Sequence, residues 1–223
     1  MTQPVADVDA YPYRTVGRLR LVRDGRQQVA TACVVGANLV YTSAGNLWAD
    51  GTWSTEVSFE LRYDGGDFVG PFSPRPGSVR VPDRWQAPGA TTTFDWATFE
   101  AEPPLPDDEP LHPRSTLGLA WRGLTGMAVG YGGPGGADPE HMYLSTGPVD
   151  YLFPFLGQLP SGLGEVARGG PWLVEEGGGW RMVGSTGRPL AEVGALVSPA
   201  FVPLVVPFLD SPPTTRQPVK GQQ

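Results

Sequence analysis

Apolar and polar residues alternate over residues 57–63, with Val57, Phe59, Leu61 and Tyr63 on one side, the period of a half-buried strand. Shorter runs of β-branched and aromatic residues predict further strands over 16–22, 31–35, 39–42, 78–81 and 96–100. Asp24-Gly25 is a hairpin signal, and Gly36-Ala37-Asn38 and Asp64-Gly65-Gly66-Asp67 mark turns. From Pro103 to Arg114 the chain is rich in proline and acid, and proline removes donors that a ladder or helix needs. A second strand set is predicted over 126–131, 142–149, 172–176, 180–184 and 194–197. Behind Pro199, the residues Phe201, Leu204, Val205 and Phe208 fall at helical spacing, so a short terminal helix is expected, interrupted by Pro203 and Pro207. The expected organisation is a flexible arm at 1–13, a first β-unit at 14–103, a connector at 104–114, a second β-unit with the helix at 115–209, and a disordered tail at 210–223. The pattern by itself fits two small antiparallel barrels or a sandwich.

Composition refines that picture. The 31 glycines and 25 prolines are about a quarter of the 223 residues, a share bordering on that of disordered chains. Seven Trp, seven Tyr and nine Phe supply a core, so the glycines and prolines read as loops between strands. A net charge of −7 offers no electrostatic footprint for nucleic acid or an anionic membrane. Cys33, the single cysteine, excludes an intrachain disulfide and sits in an apolar run as a small buried hydrophobe. The first residues have neither the basic nor the apolar part of a secretory signal, no run has the length of a membrane-spanning helix, and a cytoplasmic location is expected. No cofactor or metal is expected. His112 and His141 lack partners at ligand spacing, Gly130 to Gly136 lacks a P-loop lysine, and Asp107-Asp108-Glu109 lacks the spacing of a calcium loop. Trp48, Trp53 and Trp85 fall in predicted loops, as packing residues or as a protein-binding patch.

Three separated stretches carry the chemistry. Gly164-Glu165-Val166-Ala167-Arg168-Gly169-Gly170-Pro171 resembles the nucleophile loop of chymotrypsin-like serine proteases, Gly-Asp-Ser-Gly-Gly-Pro, with Arg168 at the serine. Residues 32–46, ending Thr42-Ser43-Ala44-Gly45-Asn46, resemble the strand, turn and strand that deliver the family's histidine, with Gly45 in its place. Phe94-Asp95-Trp96-Ala97-Thr98-Phe99 resembles the strand that carries the triad aspartate, here Asp95. Val129 to Pro134 and Ser145 to Val149 resemble the following turn and strand of the glutamyl endopeptidase-like branch. The resemblance spans residues 14–209. It implies an all-β chain of two antiparallel six-stranded β-barrels with a short C-terminal helix.

The same resemblance implies lost chemistry. Gly45 has no side chain to take a proton, and Arg168 is a permanent cation with no lone pair to attack with. Val166 replaces the glycine that lends an oxyanion N–H, and Thr186 stands where glutamyl endopeptidases keep a histidine for acidic side chains. Ala167 replaces the acidic or amide residue that would pair with an inserted N-terminus. The expectation is an inactive protease homologue that binds a protein or peptide in the inter-barrel cleft or within a multi-protein assembly. The alternatives are an active hydrolase with displaced groups, for which Ser43, Ser161, Ser185, His112 and His141 are the raw material, and a purely structural subunit of a larger assembly. A buried Asp95 would need a partner once the histidine is gone. Arg168 is long enough to reach it across the space left at Gly45, or else points to solvent.

Overall fold

A computed structural model describes residues 1–89, 92–107, 109–113, 123–134, 138–153, 156–187 and 196–199, with backbone alone for 151–153, 156 and 196–199. Along the chain the strands are β1 (Thr2–Pro4), β2 (Val16–Arg23), β3 (Arg26–Gly36), β4 (Leu39–Thr42), β5 (Trp48–Ala49), β6 (Thr52–Trp53), β7 (Thr55–Asp64), β8 (Asp67–Pro74), β9 (Ala97–Glu102), β10 (Thr125–Tyr131), β11 (Met142–Pro148), β12 (Asp150–Phe153), β13 (Leu156–Leu159), β14 (Pro171–Glu176), β15 (Gly179–Ser185) and β16 (Leu196–Pro199). Two single-turn helices, α1 (Ala44–Leu47) and α2 (Asp83–Gln86), interrupt the first half.

Asp24 and Gly25 both take positive φ, as a tight hairpin of this sequence requires, and the turn pairs Arg23 with Arg26. From that hairpin the register runs back to Val16 opposite Cys33 and puts Leu19, Leu21, Ala30 and Ala32 inside. The strands close into a barrel in the order β2-β3-β4-β9-β8-β7, around Leu19, Ala32, Val40, Phe59, Leu61 and Phe99. Strand β8 has no counterpart in the sequence pattern, because Gly70-Pro71 within it reads as a turn. The expected strand at 78–81 is no strand, and contributes a single bridge from Arg80 to Thr98.

The second half contains, among the described residues, a five-stranded sheet in the order β1-β11-β10-β14-β15 and a three-stranded sheet β12-β13-β16. Ala128, Val149, Leu159, Trp172, Val174 and Val183 form its core. A further apolar cluster joins the two halves: Val16, Cys33, Tyr41 and Tyr63 pack with Met127, Tyr131, Leu173 and Met182.

Two further expectations are corrected. The first residues are not a loose arm: β1 pairs with β11 from Thr2 opposite Ser145 to Pro4 opposite Tyr143, and the Val5 N–H donates to Met142 O at 2.9 Å. Main-chain pairing with an open sheet edge is indifferent to the polarity of the side chains, which is why pattern missed it. Ser198 and Pro199, expected to open a helix, end β16 instead, and the rest of that helix and the tail lie outside the described residues. The connector is fastened to the first barrel, with Leu111 N–H on Val34 O at 3.0 Å and the Leu111 side chain fully buried. Among the described residues no helix is long and apolar enough to cross a membrane.

Candidate functional site

Register brings the first two site stretches together. Thr42 at the end of β4 pairs with Ala97 at the start of β9, so Ser43 to Gly45 run beside Asp95. The third stretch arrives from the other half. A 3-10 turn (Glu165–Ala167) leads to Arg168 and then to Gly169 at φ +93°. A Cβ on Gly169 would overlap Thr31 O and Thr42 Oγ1, so only glycine lets this loop lie against β3 and β4. Backbone bonds hold it there: Thr31 N–H donates to Arg168 O at 3.0 Å, and Gly169 N–H to Thr186 O at 2.7 Å.

The result is a closed polar knot. Asp95 is 0% exposed. Its Oδ2 accepts from Arg168 Nη2 at 2.8 Å, and its Oδ1 accepts from Gly45 N–H at 2.8 Å and from the Ser43 hydroxyl. Ser43 in turn accepts from Arg168 Nε at 2.9 Å. The ion pair with Asp95, one of two orientations open to Arg168 from sequence, is the one adopted. Gly45 and Arg168 are complementary in volume: a Cβ on Gly45 would overlap the guanidinium at Nη2 and Cζ. The Trp85 ring of α2 lies 6.0 Å from the Arg168 Cζ, and its indole N–H donates to Trp48 O at 2.9 Å.

Neighbouring groups are also engaged. The Arg168 N–H donates to Glu165 O at 3.0 Å, which spends inside the loop a donor that an oxyanion hole would need. Val166 O accepts from the Thr31 hydroxyl at 2.9 Å. Thr186 is buried, with its Oγ1 accepting from the Trp172 indole at 3.1 Å, so it does not present a hydroxyl to a ligand. Ala167 is buried, and the Met1 amine, which such a position would capture in an inserted N-terminus, donates to Thr146 O at 3.0 Å.

The remaining nucleophile and base candidates are dispersed. Ser185 shares a hydrogen bond of 2.9 Å with the Tyr41 hydroxyl, and Ser161 Oγ accepts from Leu163 N–H at 3.1 Å. His141 pairs with Asp64 at 2.8 Å on the surface, and that bond raises its pKa above the ordinary histidine value. The His112 carbonyl accepts from Met182 N–H at 3.1 Å. Burial pushes the Cys33 thiol far up, which keeps it unreactive. Among the described residues no three His, Cys, Asp or Glu side chains form a metal site.

Arg23 escaped the sequence pattern, since a basic residue at a hairpin end reads as surface. Its Nη2 donates to Gly45 O, Asn46 O and Ser54 Oγ, each at 2.8 Å, and so fixes the carbonyl side of α1. Arg23 and Arg168 line one open cavity of about 450 Å³. Burial first, and the nearby Arg168 charge second, depress the pKa of the Arg23 guanidinium.

The described fold is that of chymotrypsin-like serine proteases. A Glu endopeptidase in complex with MPD superposes with a TM-score of 0.79 at 16% identity, over 94% of each chain. Protease Anisep from Arthrobacter nicotinovorans gives 0.73 at 17%, over 92% of this chain and 95% of that one. The thermostable serine protease AL20 from an extremophilic microorganism gives 0.71 at 17%, over 85% and 92%. No protein-family model and no curated protein matches the chain. At these identities the likeness concerns the fold.

Proposed function

We propose that this chain is a catalytically inactive homologue of the chymotrypsin-like serine proteases that holds a polypeptide between its two halves. The observation that carries this reading is the Arg168 guanidinium, which fills the space a side chain at position 45 would need and is bound to Asp95 and Ser43. Acyl transfer of this kind needs a nucleophile, a base and donors for the oxyanion. At the corresponding positions stand a cation without a lone pair, a residue without a side chain, and a loop N–H already donated to Glu165 O.

What the knot leaves intact is a strand edge. Thr31 directs its N–H to Arg168 O and its C=O to the Thr42 hydroxyl, away from β2. Main-chain direction alternates along a strand, so Val29, two residues earlier, turns its N–H and C=O to the same side, where it lines the cavity. An extended segment can add to such an edge without any catalytic group.

A fluorophosphonate probe, which labels activated serines, tests the reading. The expected outcome is no labelling of the folded chain and no hydrolysis of peptide esters. Labelling abolished by Ser→Ala at Ser43, Ser161 or Ser185 would overturn it.

A further inference from the structure

The cavity beside the knot is lined by Arg23, Gln28, Val29, Asn46, Glu165 and Arg168, among others. Its two arginines are differently satisfied. Arg168 uses Nη2 and Nε on Asp95 and Ser43, which leaves Nη1 without a partner among the described residues. Arg23 has no carboxylate within ion-pair distance among the described residues. Its Nη2 meets three neutral oxygens, and its Nε is buried without a partner. A half-buried cation next to a second cation, hydrogen-bonded to neutral oxygens and with Asp24 and Asp50 acting on it only from beyond ion-pair distance, is an arrangement that an incoming anion relieves. Each guanidinium keeps Nη1 outside these bonds, so the two arginines together can give a charge-assisted bond to each of two oxygens of one carboxylate or phosphate group. The cavity volume of about 450 Å³ is large enough for one side chain carrying such a group.

We infer that this cavity is an oxyanion subsite, in which Arg23 and the free Nη1 of Arg168 bind a carboxylate or phosphate group carried by the polypeptide in the cleft. The carrier rests on the function proposed above; the anion site itself does not. It is distinct from the position at which the resemblance places recognition of acidic side chains, since Thr186 is buried against Trp172 and does not line the cavity.

The test uses the full chain, labelled with ¹⁵N, and follows the Nε–Hε signals of Arg23 and Arg168. Sodium phosphate is titrated against sodium chloride at equal ionic strength, and three capped alanine–valine peptides differ only in a central Glu, phosphoserine or Gln. Phosphate is expected to shift both signals. The Glu or phosphoserine peptide is expected to bind about tenfold tighter than the Gln peptide, and the stronger of the two identifies the source of the anion. Arg23→Met is expected to erase that preference, with the backbone amide spectrum outside α1 and the cavity reporting that the fold is kept. Arg23→Lys, which keeps the charge, restores part of the preference. Equal binding of all three peptides with no phosphate shift overturns the subsite and leaves the cleft reading standing. A phosphate shift with no peptide bound supports the subsite and overturns the cleft reading, and neither response overturns both.

Discussion

Two arginine–carboxylate clusters join the halves of this molecule, and they are built on different plans. In one, Arg18 on β2 donates to Glu60 on β7 at 2.7 Å within the same barrel, and to Glu140 of the other half at 2.8 Å. Its Cζ lies 3.3 Å from the Tyr63 ring centroid, Tyr63 donates to Glu140, and Arg20 adds a second cation to Glu60 at 3.0 Å. The Glu140 side chain is 50% exposed, so water can replace its partners, while the buried Glu60 is held by two cations, Arg18 and Arg20. In the other, Asp95 is sealed from solvent, and its one cation among the described residues crosses from the opposite half. The first is a framework in which each carboxylate has more than one partner. The second is a plug, in which one side chain both neutralises a buried charge and fills the volume above a glycine.

The largest effect that tests this contrast is expected at Arg168. Arg168→Met leaves the Asp95 carboxylate buried with only Ser43 and the Gly45 N–H, and should cost about 3–5 kcal/mol of stability in urea denaturation. A loss the size of a surface ion pair, below about 1 kcal/mol, would break the comparison.

Overfilling the plug comes next. Gly45→Ala places a methyl group against the guanidinium and should cost about 1–3 kcal/mol. Combined with Arg168→Ala, which removes the collision, the two losses should add to less than their sum. Strict additivity in the same denaturation series would show that Gly45 and Arg168 do not share one volume.

The smallest effect belongs to the exposed rim of the framework, where His141 and Asp64 bridge the halves. The hydrogen bond to Asp64 raises the His141 pKa, so this contribution is complete below the unfolded histidine pKa and fades as pH rises through the folded value. His141→Gln should flatten that part of the stability–pH curve. A curve of unchanged shape would assign the dependence to other groups.

Much of this arrangement is written locally in the sequence. The alternation at 57–63 specifies β7, Asp24-Gly25 specifies the first hairpin, and the spacing of three motifs singled out Gly45, Asp95 and Arg168. Each of these signals depends on side-chain type over a few neighbours, which is why it survives in one dimension. Strand β8 was illegible because Gly70-Pro71 has the local character of a turn, and only pairing with β7 and β9 makes it a strand. Strand β1 was illegible because its bonds are main-chain bonds to a distant edge.

The site divides along the same line. Sequence determined which residues stand at the three positions: a cation, a glycine and a carboxylate. Whether Arg168 turns to solvent or onto Asp95 was decided by tertiary structure, through Gly169 lying against Thr31 and Thr42 and so setting where the guanidinium begins. Arg23 depended on tertiary structure altogether, since nothing near it in the chain reveals that α1 folds its carbonyls against a hairpin end. The physical reason is distance along the chain: a local pattern fixes what a residue can do, and long-range packing fixes what it is given to do it with.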